Sequence, residues 1–276
     1  MRRLFAAALI STIAQSALAD DIQGEIGVSG GGLFQTGSPN RAASGTTVRV
    51  INLGGTFSVH LSEDVVVQTD TNITRFDTKV RGGQIGAPLA ISDTTFSFDL
   101  QTGYVGDRFA LGLVGGLTGL SSGERLRGGA TGAVFLDQVT IRGDVLYRNA
   151  SGEATNAIGG TLGVEYFLMP NLMLSADGGY TYVRSPDQNV FDLEAGDGIY
   201  QAGASIDYRF EGTPLTLGLS YGYITTDSPQ IRGDLHMVLG RVSVAFGSES
   251  LQEYRQNGAP FGRRTRVLDI VLDGLL

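Results

Sequence analysis

After residue 20 one unit recurs along the chain: a run of about ten to fourteen residues in which apolar side chains alternate with small or polar ones, then a connection. Alternation of period two puts the apolar residues on one face of a β-strand and the others on the opposite face. The connections are of two kinds that take turns. The short ones are Ser62-Glu63-Asp64, Gly106-Asp107, Asp137-Gln138, Met169-Pro170-Asn171 and Glu211-Gly212-Thr213-Pro214. The longer ones are expected at about 35–45, 78–92, 119–128, 149–156, 184–197 and 226–232. Tight turns at one end of a sheet and loops at the other are what a barrel crossing a membrane requires.

Twelve strands are expected, at 22–34, 46–61, 65–77, 94–105, 108–118, 129–136, 139–148, 157–168, 172–183, 199–210, 215–225 and 234–246. The fold class is therefore all-β, an antiparallel transmembrane β-barrel. The first strand, which carries Gly30, Gly31 and Gly32, and the short sixth are the weakest; losing or gaining a pair gives ten or fourteen. The seventh alternates most cleanly. Val139, Ile141, Gly143, Val145 and Tyr147 share one face, and Thr140, Arg142, Asp144, Leu146 and Arg148 the other.

A soluble sandwich or barrel also alternates, because its apolar face fills a core. Two features favour lipid. The strands are mostly nine residues or longer, the length a tilted strand needs to cross a bilayer, whereas soluble strands cluster near five or six. Aromatics also gather at the strand ends. Phe57, Tyr104, Phe109, Tyr166, Tyr208, Phe210 and Phe246 lie on the short-turn side; Phe34, Phe96, Tyr147, Tyr180, Tyr182, Tyr200, Tyr221 and Tyr223 lie on the loop side. Two such girdles mark the two lipid–water interfaces. An even strand number then places both ends of the barrel in the periplasm.

Residues 1–19 read as a cleaved Sec signal peptide, with Arg2 and Arg3 before the apolar run Leu4–Ile10 and Ala17-Leu18-Ala19 as the cleavage site. Residues 20–246 form the barrel. Residues 247–276 are expected as a periplasmic C-terminal tail, with Leu268, Val271, Leu272 and Leu275 at helical spacing. A plug folded into the barrel mouth, or a docking segment, is the alternative for this tail. The chain has no cysteine, which excludes disulfides and thiolate metal sites. Loss of Arg2 and Arg3 takes the net charge from −8 to −10, which argues against nucleic acid as a partner.

Motifs with catalytic precedent are present but badly placed. Gly-x-Ser-x-Gly occurs around Ser29, Ser121 and Ser220, and none has the strand-to-helix turn that nucleophile needs. The two histidines, His60 and His236, belong to opposite ends of the barrel, roughly 25 Å apart in height. The acidic loop carrying Asp187, Asp192, Glu194 and Asp197 lacks the spacing of a calcium loop. No catalytic, cofactor-binding or metal-binding residue is expected.

Function is expected on the face turned from lipid. It collects Glu25, Asp70, Asp99, Arg108, Arg142, Asp144, Arg148, Glu165, Asp177, Asp207, Arg209 and Arg241 as candidate pore-lining residues. Facing rows of opposite charge sort solutes in a water-filled pore, or pair and close a narrow one. Many other inward positions are small, among them Gly112, Gly116, Gly163 and Gly218, which leaves space and favours an open lumen.

The signal peptide, the twelve strands, the two girdles and the closing aromatic together resemble the Gram-negative outer-membrane β-barrel superfamily, most closely its small porin-like members. The resemblance covers about residues 20–246 and is architectural. It implies outer-membrane lipid and lipopolysaccharide around the barrel, and a homo-oligomer as in many porins. It also implies a closing strand read by the barrel-assembly machinery. Phe246, with Gly240, Val242 and Val244 on its face, resembles that signal, but thirty residues before the end of the chain. The expected function is passive diffusion of small hydrophilic solutes. A structural barrel with a closed lumen and, more remotely, a lipid-modifying enzyme using His236 are the alternatives.

Overall fold

Each alternating segment pairs antiparallel with its neighbours in the chain, and the last pairs with the first. In a computed structural model the elements are β1 (Ile22–Thr36), β2 (Thr47–Ser62), β3 (Val65–Lys79), β4 (Ala90–Val105), β5 (Phe109–Leu120), β6 (Gly123–Leu136), β7 (Val139–Ala150), β8 (Asn156–Met169), β9 (Leu172–Ser185), β10 (Gly198–Arg209), β11 (Leu215–Thr226) and β12 (Asp234–Phe246). The structure describes residues 22–36, 47–79, 90–120, 123–150, 156–185, 197–226, 234–262 and 271. The signal peptide, the acidic loop from 187 to 194 and Ser121 lie outside the described residues. β1 and β12 close the barrel in a ladder from Gly24↔Phe246 to Thr36↔Asp234. Closure leaves no unpaired edge, which is the condition for a sheet to sit in lipid.

The two faces are inverted relative to a water-soluble protein. Leu111, Leu113 and Leu162 on the outside are 61%, 67% and 62% exposed, while Asp99 and Arg209 inside are 2% and 1% exposed. An outer surface this apolar is a surface for lipid tails. The girdles form by ring contacts at the two ends of the barrel. Phe57 meets Phe246, Tyr104 meets Phe109 and Tyr208 meets Phe210 at the short-turn end; Tyr180 meets Tyr200 at the loop end.

Two expectations need correction. The long connection at 119–128 is mostly strand: β5 ends and β6 begins at the pair Leu120↔Gly123. Arg125 and Arg127 alternate there with Leu126, which is exposed on the outer face, so charges that resemble a loop are the inward half of a strand. β6 is accordingly 14 residues long rather than short.

The second correction concerns the C-terminal segment. Residues 247–262 do not trail outside the barrel but fold into its short-turn end. Gly247 turns the chain inward at φ 76°, a left-handed conformation, and an added Cβ there would press on the Ile22 carbonyl. One helical turn, Leu251–Glu253, runs on into a π-helical stretch, Tyr254–Gly258. Ser250 caps it by accepting from Glu253 N at 3.1 Å, while Glu253 Oε2 accepts from Glu249 N at 2.8 Å. Ser250-Leu251-Gln252-Glu253 has the capping-box sequence, with the Glu253 carboxylate reaching one residue further back, to Glu249 N. Val271 packs against an apolar inner collar near the loop end, where Val50, Ala157, Val183, Ile199, Ile224, Met237 and Leu239 cluster.

Candidate functional site: the barrel interior and its C-terminal insert

The interior is organised by short rows that cross three strands. Asp99 on β4 faces Gly116 on β5, which faces Arg127 on β6. Across the glycine, Arg127 Nε donates to Asp99 Oδ1 at 2.6 Å and Nη2 to Oδ2 at 2.9 Å. A Cβ on Gly116 would overlap Asp99 Oδ1, so the glycine is what lets the pair meet. β10 to β12 repeat the device. Asp207 and Arg241 both face Gly218, and Arg241 Nη2 donates to Asp207 Oδ1 over it. β5 and β11 are six strands apart, so the two rows stand on opposite walls.

All the candidate pore-lining residues except Arg108 lie on the inner face. Arg108 is exposed in the turn between β4 and β5, one residue before the strand resumes, and is corrected to a rim position. Asp70 is buried and held by neutral donors: Thr56 Oγ1, Gln68 Nε2 at 3.1 Å and Gln101 Nε2 at 2.6 Å. Asp144 accepts from Thr161 Oγ1 at 2.6 Å. Glu25 and Arg148 are buried on β1 and β7, Arg148 directly opposite Arg127. Asp177 faces Gly163, with Arg142 on the other side of that glycine.

Three of these candidates grip the C-terminal segment. Arg209 Nη1 donates to Ser248 Oγ at 3.0 Å and to the Ser250 carbonyl at 2.9 Å, and its guanidinium lies 5.6 Å from the centre of the Tyr254 ring. Arg142 donates to the carbonyls of Pro260 and Arg255. Glu165 accepts from Arg255 Nε at 3.0 Å. Arg142 Nε also stands 3.1 Å from Glu165 Oε2, within ion-pair range but not aligned as a hydrogen bond. One wall carboxylate is thus shared by an arginine of the wall and one of the segment.

Apolar seats complete the fit. Leu251 packs with Phe167 and Met173. Phe261 enters a pocket of Val66, Val105, Ala110, Ala133 and Phe135, and its ring covers the facing glycines Gly103 and Gly112. Gln68 Oε1 accepts from Phe261 N at 3.3 Å, and Ser58 Oγ donates to the Gly258 carbonyl. Beyond the segment a cavity of about 100 Å³ remains, lined in part by Ser29, Asn52, Asn72, Ser205, Asp207 and Arg241, with Tyr254 and Arg255 from the segment. That is room for about three waters at liquid density. The inward small residues therefore do leave space, but part of it is taken by the chain itself.

The motifs with catalytic precedent resolve simply. Ser29 and Ser220 sit on strands of the inner wall. His60 is at the short-turn end of β2. His236 is on the outer face near the loop end, stacked on Phe34 with ring centroids 5.3 Å apart. Its Nδ1 is 2.7 Å from Tyr221 Oη and its Nε2 is 2.9 Å from Thr36 Oγ1. Both nitrogens are thus engaged by interfacial neighbours, neither of them a serine.

The comparisons fit this geometry. An outer-membrane channel from Pseudomonas putida F1 superposes with a TM-score of 0.58, at 12% identity, covering 82% of this chain and 95% of that one. The fold is that of outer-membrane porin-like barrels. The NanC porin superposes at a TM-score of 0.51, with 12% identity over 80% of this chain and 98% of that one. No protein-family model matches the sequence, and no curated protein matches it.

Proposed function

We propose that this protein is a channel of the Gram-negative outer membrane through which small hydrophilic solutes pass by passive diffusion. Delivery by the cleaved signal peptide, lipid and lipopolysaccharide around the apolar belt, and insertion by the barrel-assembly machinery at Phe246 belong to the same reading. The observation that carries it is the inverted barrel: an apolar exterior around a wall of paired charges, amides and hydroxyls that retains a polar cavity. Passage needs no covalent chemistry. The Asp99–Arg127 and Asp207–Arg241 pairs, on opposite walls, line the interior with polar groups that favour polar solutes over apolar ones.

The filled short-turn end favours a second reading, a structural barrel with a closed lumen. Solute uptake separates the two. Liposomes carrying the inserted protein are expected to swell in isotonic small sugars or amino acids faster than protein-free liposomes. Equal rates, with insertion verified, would support the closed barrel instead.

A further inference from the structure

The geometry points to residues 247–262 as a displaceable plug: the segment leaves the short-turn end about Gly247, Val271 is drawn from its collar with it, and the barrel conducts while the segment is unseated. This rests on the channel reading above.

The strand ladder of the wall does not depend on the segment. The β1–β12 ladder closes the barrel through to Gly24↔Phe246, and the plug begins immediately after it. No strand hydrogen bond is lost when the plug moves. Gly247, already left-handed, supplies a pivot where wall turns into insert.

The contacts are also of a kind that can be remade. They are discrete: the Arg209 grip on Ser248 and Ser250, the Glu165–Arg255 pair, the Arg142 bonds to two carbonyls, and the two seats for Leu251 and Phe261. Removing one partner of a buried ion pair normally strands the other charge at high cost. Here Glu165 keeps Arg142 beside it when Arg255 departs. The wall thus holds a replacement cation at the docking carboxylate, and water entering the vacated end solvates the carbonyl-binding face of Arg142. Phe261 seats on Gly103 and Gly112, a smooth floor from which a ring can slide.

The chain has no cysteine, so an engineered pair supplies its only thiols. Ser58→Cys with Ala259→Cys flanks the contact of Ser58 with the Gly258 carbonyl; Pro170→Cys with Gln252→Cys, next to the bond from Gln252 N to the Pro170 carbonyl at 2.9 Å, is the second pair. In a planar bilayer the oxidised protein is expected to stay closed, and a reductant to raise its open time by about tenfold or more. Full-length Arg255→Ala/Phe261→Ala is expected to be open most of the time. If oxidised and reduced proteins conduct alike, with the link verified by thiol counting, the plug is not the gate. If the unseated double variant is inserted yet silent, the channel reading itself fails and takes the gate with it.

Discussion

Arg255 reaches Glu165 from ninety positions further along the chain and donates its Nε to Oε1 at 3.0 Å, inside a barrel whose wall is complete without it. The wall residue Arg142 flanks the same carboxylate. This sharing fixes an order of effects. Glu165→Ala deprives two arginines of their carboxylate and should cost about 3–5 kcal/mol, the usual result of stranding buried charge. Arg255→Ala leaves Glu165 with Arg142 and should cost clearly less. Thermal unfolding of the detergent-solubilised protein reads the difference; equal losses would contradict the sharing.

Gly116 and Gly218 should resist substitution for a reason that does not apply to their neighbour. A methyl group on either meets a carboxylate oxygen of the row it supports, so Gly116→Ala and Gly218→Ala are expected to destabilise by about 1–3 kcal/mol. Gly115 points outward with open space around its Cβ position. Gly115→Ala should be neutral or slightly stabilising. Denaturation of the three variants side by side tests this.

Truncating the Phe261 ring should loosen the insert and spare the wall. Phe261→Ala removes a buried aromatic from its pocket, worth up to about 3–5 kcal/mol. The loss should appear in hydrogen exchange as lost protection across 247–262, with strand amides unchanged. Faster exchange along β3 to β6 would mean that the ring supports the barrel itself.

Leu113, 67% exposed on the outer face, reports on lipid. Leu113→Arg is expected to cost about 2–4 kcal/mol in a bilayer, the range for a cation near the midplane. Reversible unfolding from phospholipid vesicles measures it. An unchanged stability would place Leu113 in water.

Strand number, order and facing were legible because a period of two leaves little freedom once one face must meet lipid. The seventh strand illustrates this: Val145 and Tyr147 are exposed outward, Thr140 and Arg148 buried inward. Two things were obscured by the same physics. An inner wall that faces water or its own insert tolerates charge, so Arg125 and Arg127 read as loop although Leu126 between them keeps the alternation. The insert stood only as the alternative to an external tail, because the partners of Leu251, Arg255 and Phe261 lie far away in sequence. Its one local signal was the capping-box sequence at Ser250 and Glu253, which announces a helical turn but not where that turn docks. Arg209 and Glu165 were rightly placed on the inner face, but nothing in strand periodicity distinguishes a residue lining a pore from one holding a plug.

The central claim, that solutes travel through the interior of this barrel, is tested most directly by single cysteines in a chain that has none. Ser205 lines the interior cavity and Val242 faces outward, 50% exposed. A charged, membrane-impermeant thiol reagent should sharply reduce solute flux through Ser205→Cys and leave Val242→Cys unchanged. Flux that persists equally in both, with Ser205→Cys shown to be modified, would contradict passage through the lumen.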